Sequence, residues 1–259
     1  MLLQPVVVAS ILARGWHWSM VAALLGVVAV FLVRQPLIVL ARQRYVWKNV
    51  HPETAVAWRW LAGLAVGGAL VGAVLWTRWP FELLVTMAAG AAAMTGLAVW
   101  ATIRNRQRSL WLQIASAAGL TASSVAIEAS ARGSVTPWAL WLWGALALQA
   151  ISAILVVHAR LDAKIHSRKP GARAVERPTA AFVSQAVLLI AAVTLASRHD
   201  WWLAAAMGLP GLLNWFELVQ IRNNRTLDTP LKTIGFKAMG LSLAVNVLLI
   251  IGLWPRAGC

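Results

Sequence analysis

Almost the whole of this sequence is divided into apolar runs about twenty residues long, set apart by short polar segments. A helix rises about 1.5 Å per residue, so about twenty apolar residues match the roughly 30 Å hydrocarbon core of a bilayer. A chain built of such runs cannot hide them all in one water-soluble core. Composition agrees: 60% of the 259 residues are hydrophobic and only 12% are charged, where soluble domains run near 45–50% and about 25%. A soluble enzyme, a disordered chain and a disulfide scaffold are excluded. The expected fold class is all-α: a polytopic transmembrane bundle of about nine helices in a single integral membrane domain. The single cysteine, Cys259, has no internal partner and carries no information on redox compartment.

The spans read as residues 1–13, 18–40, 58–76, 81–103, 110–131, 138–157, 179–197, 201–221 and 234–254. Threading these back and forth sorts the 23 Lys and Arg residues by side. Eighteen fall on one side, from Arg34, Arg42 and Arg44 through to Lys232 and Lys237. Only Arg14, Arg78, Arg132, Arg198 and Arg256 fall on the other. Losing one interior helix would scramble that sorting. The positive-inside rule places the cation-rich side in the cytoplasm, the N-terminus inside and the C-terminus outside, in a bacterial inner membrane. It also accounts for the net charge of +15 without nucleic acid. Tryptophans gather at the outer ends (Trp16, Trp18, Trp76, Trp79, Trp138, Trp141, Trp143, Trp201, Trp202 and Trp254) and read as an interfacial belt. Gly63, Gly67, Gly68, Gly90, Gly96 and Gly119 read as points of close helix contact. The first span is short for a crossing, and the expectation is that the true start lies upstream.

Ionisable groups in or beside spans are costly and default to a functional or pairing role. Arginines crowd several helix ends on the cation-rich side: Arg42 and Arg44, Arg104 with Arg106 and Arg108, Arg160, and Arg222 with Arg225. The guanidinium fork suits bidentate contact with phosphate. Arg34, Arg42, Arg44, Arg104, Arg160, Lys164 and Arg222 are therefore the candidate anion-binding residues. Their bland alternative is lipid anchoring and topology. In the eighth span Asn214 and Glu217 share a side, below Pro210. A buried Glu217 needs a proton or a partner, and Arg34 and Lys237 are the candidates. Together Asn214, Glu217 and Lys237 form a buried polar set, and Gln149, Gln185 and Asn246 extend it in a transport reading. After the sixth span His158, Asp162 and His166 form one helical stripe, from which Asp162 and His166 are the candidate metal pair. Glu82 and Glu128 lie near outer ends and are expected to reach interfacial water. The P-loop, dinucleotide, CxxC, HExxH and GxSxG patterns are absent from the sequence, which disfavours a well-marked enzyme.

Four short motifs make the chain resemble the YwiC-like family of bacterial membrane proteins, a family without an assigned activity. They are Leu2-Leu3-Gln4-Pro5-Val6, Phe31 to Leu37 with its Arg34-Gln35-Pro36, Val156 to Ala163 around Arg160 and Asp162, and Leu231 to Phe236. Family members carry a His-Gly-Ala-Trp/Tyr segment before the first apolar run, and no such segment precedes Met1 in this sequence. In plan the chain is also similar to UbiA-type prenyltransferases, which resemblance implies nine helices and a cytoplasmic-side site. Those enzymes hold a prenyl diphosphate through Mg²⁺ on Asp-rich motifs after their second and sixth helices. Here the first connection contains no Asp and the second only Asp162. One carboxylate is too few for a hard cation. The expectation is a UbiA-like bundle that binds an isoprenoid or other anionic lipid without Mg²⁺-dependent transfer, and without a cofactor. A small-solute or proton-coupled transporter and an assembly or scaffold subunit are the alternatives.

Overall fold

A computed structural model describes residues 3–49, 52–106, 109–168, 177–223 and 229–258. Among these the regular structure is helical. In chain order the helices are α1 (Leu3–Leu12), α2 (Trp18–Arg42), α3 (Glu53–Trp76), α4 (Phe81–Ile103), α5 (Leu110–Arg132), α6 (Pro137–Arg168), α7 (Arg177–Ser197), α8 (Trp201–Arg222) and α9 (Leu231–Leu253). From α2 onward, eight are long and apolar enough to cross a membrane. The chain is a multi-pass membrane protein. The ten residues of α1 rise only about 15 Å, so α1 falls short of a crossing.

The chain divides into two compact units, Met1–Leu140 and Trp141–Cys259, the division falling within α6. In the first unit α2 is the hub: α3, α4 and the second half of α5 pack against it, and α1 packs on that same half of α5. Helix α5 is interrupted at Ala122, between Leu110–Thr121 and Ser123–Arg132. The cause is local. The hydroxyls of Thr121, Ser123 and Ser124 all donate back to carbonyls three or four residues earlier, and such back-bonding bends helices. The second half of α5 is the best-buried part of the unit, and Ser130 marks its contacts: its carbonyl accepts from Ser19 Oγ at 2.6 Å and its Oγ from Trp79 Nε1 at 3.2 Å.

In the second unit α8 packs between α7 and α9. Its small residues permit close approach. A Cβ on Gly211 would lie 3.0 Å from Leu189 Cδ2, and one on Gly252 of α9 would lie 2.5 Å from Leu203 Cδ2. Pro210 sits inside α8 without ending it. Helices α6 and α7 are joined by buried polar side chains: Ser152 and Gln185 exchange hydrogen bonds at 3.0–3.1 Å, and Gln185 Nε2 also donates to Ser184 Oγ. At the other end Arg256 donates to Asp200 Oδ1 at 2.6 Å.

Four expectations need correction. The glycines of α3 and α4 are not contact points: nothing lies within 4 Å of a Cβ at Gly63, Gly67, Gly68, Gly90 or Gly96, and of the six only Gly119 meets a neighbour, Met94 at 3.3 Å. Small residues make a face smooth, but they do not say what covers it. Glu128 does not reach interfacial water. It is fully buried, accepts from Thr136 Oγ1 at 2.8 Å and lies 3.5 Å from Arg132 Nε, whereas Glu82 is exposed. Trp79 and Trp138 are buried within the first unit, unlike the exposed Trp16, Trp18, Trp76, Trp201, Trp202 and Trp254. The sixth span runs well past residue 157, to Arg168.

Candidate functional site

Helix α2 does not stop at Arg42. It widens into one π-helical turn, Gln43–Trp47, and ends at Lys48, whose φ of 55° breaks the helix. Single π turns inside helical segments mark functional sites more often than chance would give. The turn is fixed to the start of α3 by Thr54, whose hydroxyl donates to Gln43 Oε1 at 2.6 Å. Gln43 is itself buried, and its Nε2 has no hydrogen-bond partner among the described residues. A buried amide N–H₂ without an acceptor is costly. Cations flank it on both sides: Arg42, half-buried, and Arg44 and Lys48, both exposed. Arg44 lies 5.9 Å from the Tyr45 ring centroid. Two and a half turns earlier Arg34 is half-buried, and its Nε is buried with no partner among the described residues.

The local charge balance is one-sided. The first unit contains three acidic residues, Glu53, Glu82 and Glu128. Glu128 is engaged by Thr136 and Arg132, and Glu53 occupies the first turn of α3. Among the described residues Arg34, Arg42, Arg44 and Arg104 make no ion pair. Arg104 lies 5.7 Å from the Trp100 ring, and Trp100 in turn tilts against Trp111 at 6.3 Å. Chemically the α2–α3 corner is a set of guanidinium groups that make no ion pair among the described residues, beside a buried N–H donor. Gln43 escaped the sequence reading because an amide between two arginines reads as solvated. Only its burial distinguishes it.

The remaining candidates lie in the second unit. Arg160, 8% exposed, points its Nη1 at Glu217 Oε1, 2.6 Å away. Glu217 therefore does have a partner, but it is Arg160 of α6, where the sequence offered Arg34 and Lys237. Lys237 is exposed on α9. Asn214 is half-buried one turn before Glu217, Lys164 is half-buried and Arg222 is exposed. Asp162 is half-buried and His166 exposed, one turn apart on α6. Among the described residues no three His, Cys, Asp or Glu side chains group together as a metal site would require. Arg108, Arg225 and the side chain of Arg168 lie outside the described residues.

Compared with known families, residues 1–128 match the model described as YwiC-like protein. The match lies within the first unit and takes in the π turn, Arg34 and Arg104. Two of the four motifs behind the sequence resemblance fall inside it, and those at Val156–Ala163 and Leu231–Phe236 fall beyond it. No curated protein and no solved structure matches the chain.

Proposed function

We propose that this YwiC-like membrane protein binds an anionic lipid through its phosphate at the α2–α3 corner. The observation that carries the reading is the buried Gln43 Nε2, which has no acceptor among the described residues, between arginines that make no ion pair among them. A phosphate oxygen supplies the missing acceptor, and Arg42 and Arg44 supply the charge complement. Arg34 and Arg104 stand as further cations of the same unit. Isoprenoid and glycerol phospholipids share the phosphate chemistry that the corner selects. The reading is one of binding rather than Mg²⁺-dependent transfer. It places the corner on the cytoplasmic side of a bacterial inner membrane, as the excess of eighteen cations on that side supports; with eight crossings the start of α2 and the end of α9 then both lie outside, where nine crossings would have put the N-terminus inside. In the second unit Arg160, Lys164 and Arg222 remain candidate anion contacts, Arg160 already holding one carboxylate.

A second reading, transport through Asn214 and Glu217, is favoured by one observation: an ion pair between two membrane-spanning helices. Native mass spectrometry of the gently extracted protein separates the two. The lipid reading expects a co-purified phosphate-bearing lipid that disappears in an Arg42→Ala/Arg44→Ala variant. No such lipid, or retention indifferent to both arginines, overturns it and leaves the Asn214–Glu217 region as the place to look.

A further inference from the structure

The side-chain amide of Gln43 has two ends that behave oppositely: Oε1 accepts hydrogen bonds and Nε2 donates them. Half a turn about its last bond exchanges the two without changing the shape of the group. The end that faces a bound molecule therefore decides whether the α2–α3 corner presents a donor or an acceptor. One contact makes that choice. The Thr54 hydroxyl has a single hydrogen, and it goes to Oε1 at 2.6 Å. Oε1 is thereby turned toward α3, and Nε2 is the end left without an acceptor among the described residues. Gln43 is only 6% exposed, so bulk water does not make good the lack.

Thr54 stands in the first turn of α3, one residue after Glu53. The oxygen and nitrogen of one amide are about 2.2 Å apart, so Nε2 lies within about 5 Å of Thr54 Oγ1. This donor is held beside the start of a 24-residue helix that has no side-chain cap. The first-turn N–H groups and the positive end of the helix dipole favour an anion there. Glu53 is the one carboxylate of that turn and it is exposed, against Arg42, Arg44 and Lys48 across the corner. The opposite amide orientation would set a lone pair among these cations. A guanidinium group would take it, and an arriving phosphate would meet an acceptor with no proton to give.

We infer that Thr54 is the positioning residue of the corner. By holding Oε1 it keeps the N–H₂ group of Gln43 turned to the ligand, and so fixes the class of headgroup as one that offers an anionic oxygen with no ammonium group attached. A headgroup that carries an ammonium group brings a donor and a positive charge to a corner that already has both. The inference rests on the phosphate reading of the corner. Thr54 acts through Gln43, while Gln43, Arg42 and Arg44 hold the ligand.

The test titrates the delipidated full-length protein with phosphatidate in detergent and reads an apparent Kd by native mass spectrometry, with the unliganded melting temperature of each variant beside it. A hydrogen bond to a charged group is worth roughly tenfold to hundredfold in affinity. Gln43→Leu is expected to weaken binding by about that factor. Thr54→Val keeps the shape and removes the hydroxyl, and is expected to weaken binding roughly fivefold or more. Thr54→Ser keeps the hydroxyl and is expected to bind as the wild type does. Gln43→Leu/Thr54→Val is expected to bind no more weakly than Gln43→Leu alone, because nothing is left to orient. Gln43→Glu still accepts from Thr54 but has no N–H₂ group, and is expected to lose binding. Wild-type affinity in Thr54→Val, whatever its melting temperature, overturns the positioning role and leaves the phosphate reading standing where Arg42→Ala/Arg44→Ala still abolishes binding. Additive losses in the double variant overturn action through Gln43, and undiminished binding in Gln43→Glu overturns the need for a donor. Equal affinity for phosphatidate and phosphatidylethanolamine overturns the headgroup class. Binding that survives Arg42→Ala/Arg44→Ala overturns the phosphate reading and this inference with it.

Discussion

Arg160 in α6 reaches Glu217 in α8 with an Nη1–Oε1 distance of 2.6 Å, and the two side chains are only 10% and 28% exposed. Two charges this poorly solvated are held in place by each other. The pair joins two of the helices of the second unit, and Glu217 lies two turns beyond Pro210. Its neutral sum explains how a span can carry a carboxylate at all.

Removing one partner leaves the other charge uncompensated. Arg160→Ala and Glu217→Gln are each expected to destabilise the protein by roughly 2–4 kcal/mol, somewhat below the usual cost for a fully buried pair because Glu217 keeps some exposure. An Arg160→Leu/Glu217→Leu double variant is expected to recover most of that loss. Thermal unfolding in detergent reads all three. Single variants that melt with the wild type would show that the pair does not hold α6 to α8.

Gly63 and Gly252 look alike in sequence and are opposite in structure. Gly252→Ala forces a Cβ to within 2.5 Å of Leu203 Cδ2 and is expected to cost about 1–3 kcal/mol. Gly63→Ala meets nothing and is expected to range from neutral to about 1 kcal/mol stabilising. The same melting measurement compares them, and an equal loss at both positions would contradict the packing described for α8 and α9.

Gln185 is fully buried and takes part in hydrogen bonds with Ser152 and Ser184. Interhelical hydrogen bonds within membranes average about 0.6 kcal/mol and reach about 1.7. Ser152→Ala is expected to fall in that interval, and Gln185→Leu at its upper end or beyond, since it also removes the bond to Ser184. Loss of activity without loss of stability in Gln185→Leu would instead favour a transport role for this residue.

Much of the fold was legible because its determinants are local. Apolar length defines the eight spans. Pairing was not legible, because it depends on which helices become neighbours. The need of Glu217 for a partner followed from its chemistry. That the partner is Arg160 follows from the fold bringing a side chain of α6 to one of α8, of which the sequence holds no local trace. Glu128 was misplaced for a related reason: four residues from a helix end reads as interfacial, yet Thr136 in the following turn folds back and covers it. At the α2–α3 corner Arg42 and Arg44 were visible as charge. The π turn and the buried amide of Gln43 between them were not, since a π turn has no compositional signature.

The phosphate requirement is the centre of the account, and a matched lipid pair tests it most directly. The delipidated full-length protein is melted with a polyprenyl phosphate, with the polyprenol of the same chain, with phosphatidate and with the corresponding diacylglycerol. Ligands that bind only the folded state raise the melting temperature. The account predicts that both phosphate-bearing lipids raise it, that the two alcohols do not, and that Arg42→Ala/Arg44→Ala abolishes the shift while leaving the unliganded melting temperature unchanged. Equal shifts from the phosphates and their alcohols, or a phosphate shift that survives in the arginine variant, would contradict it.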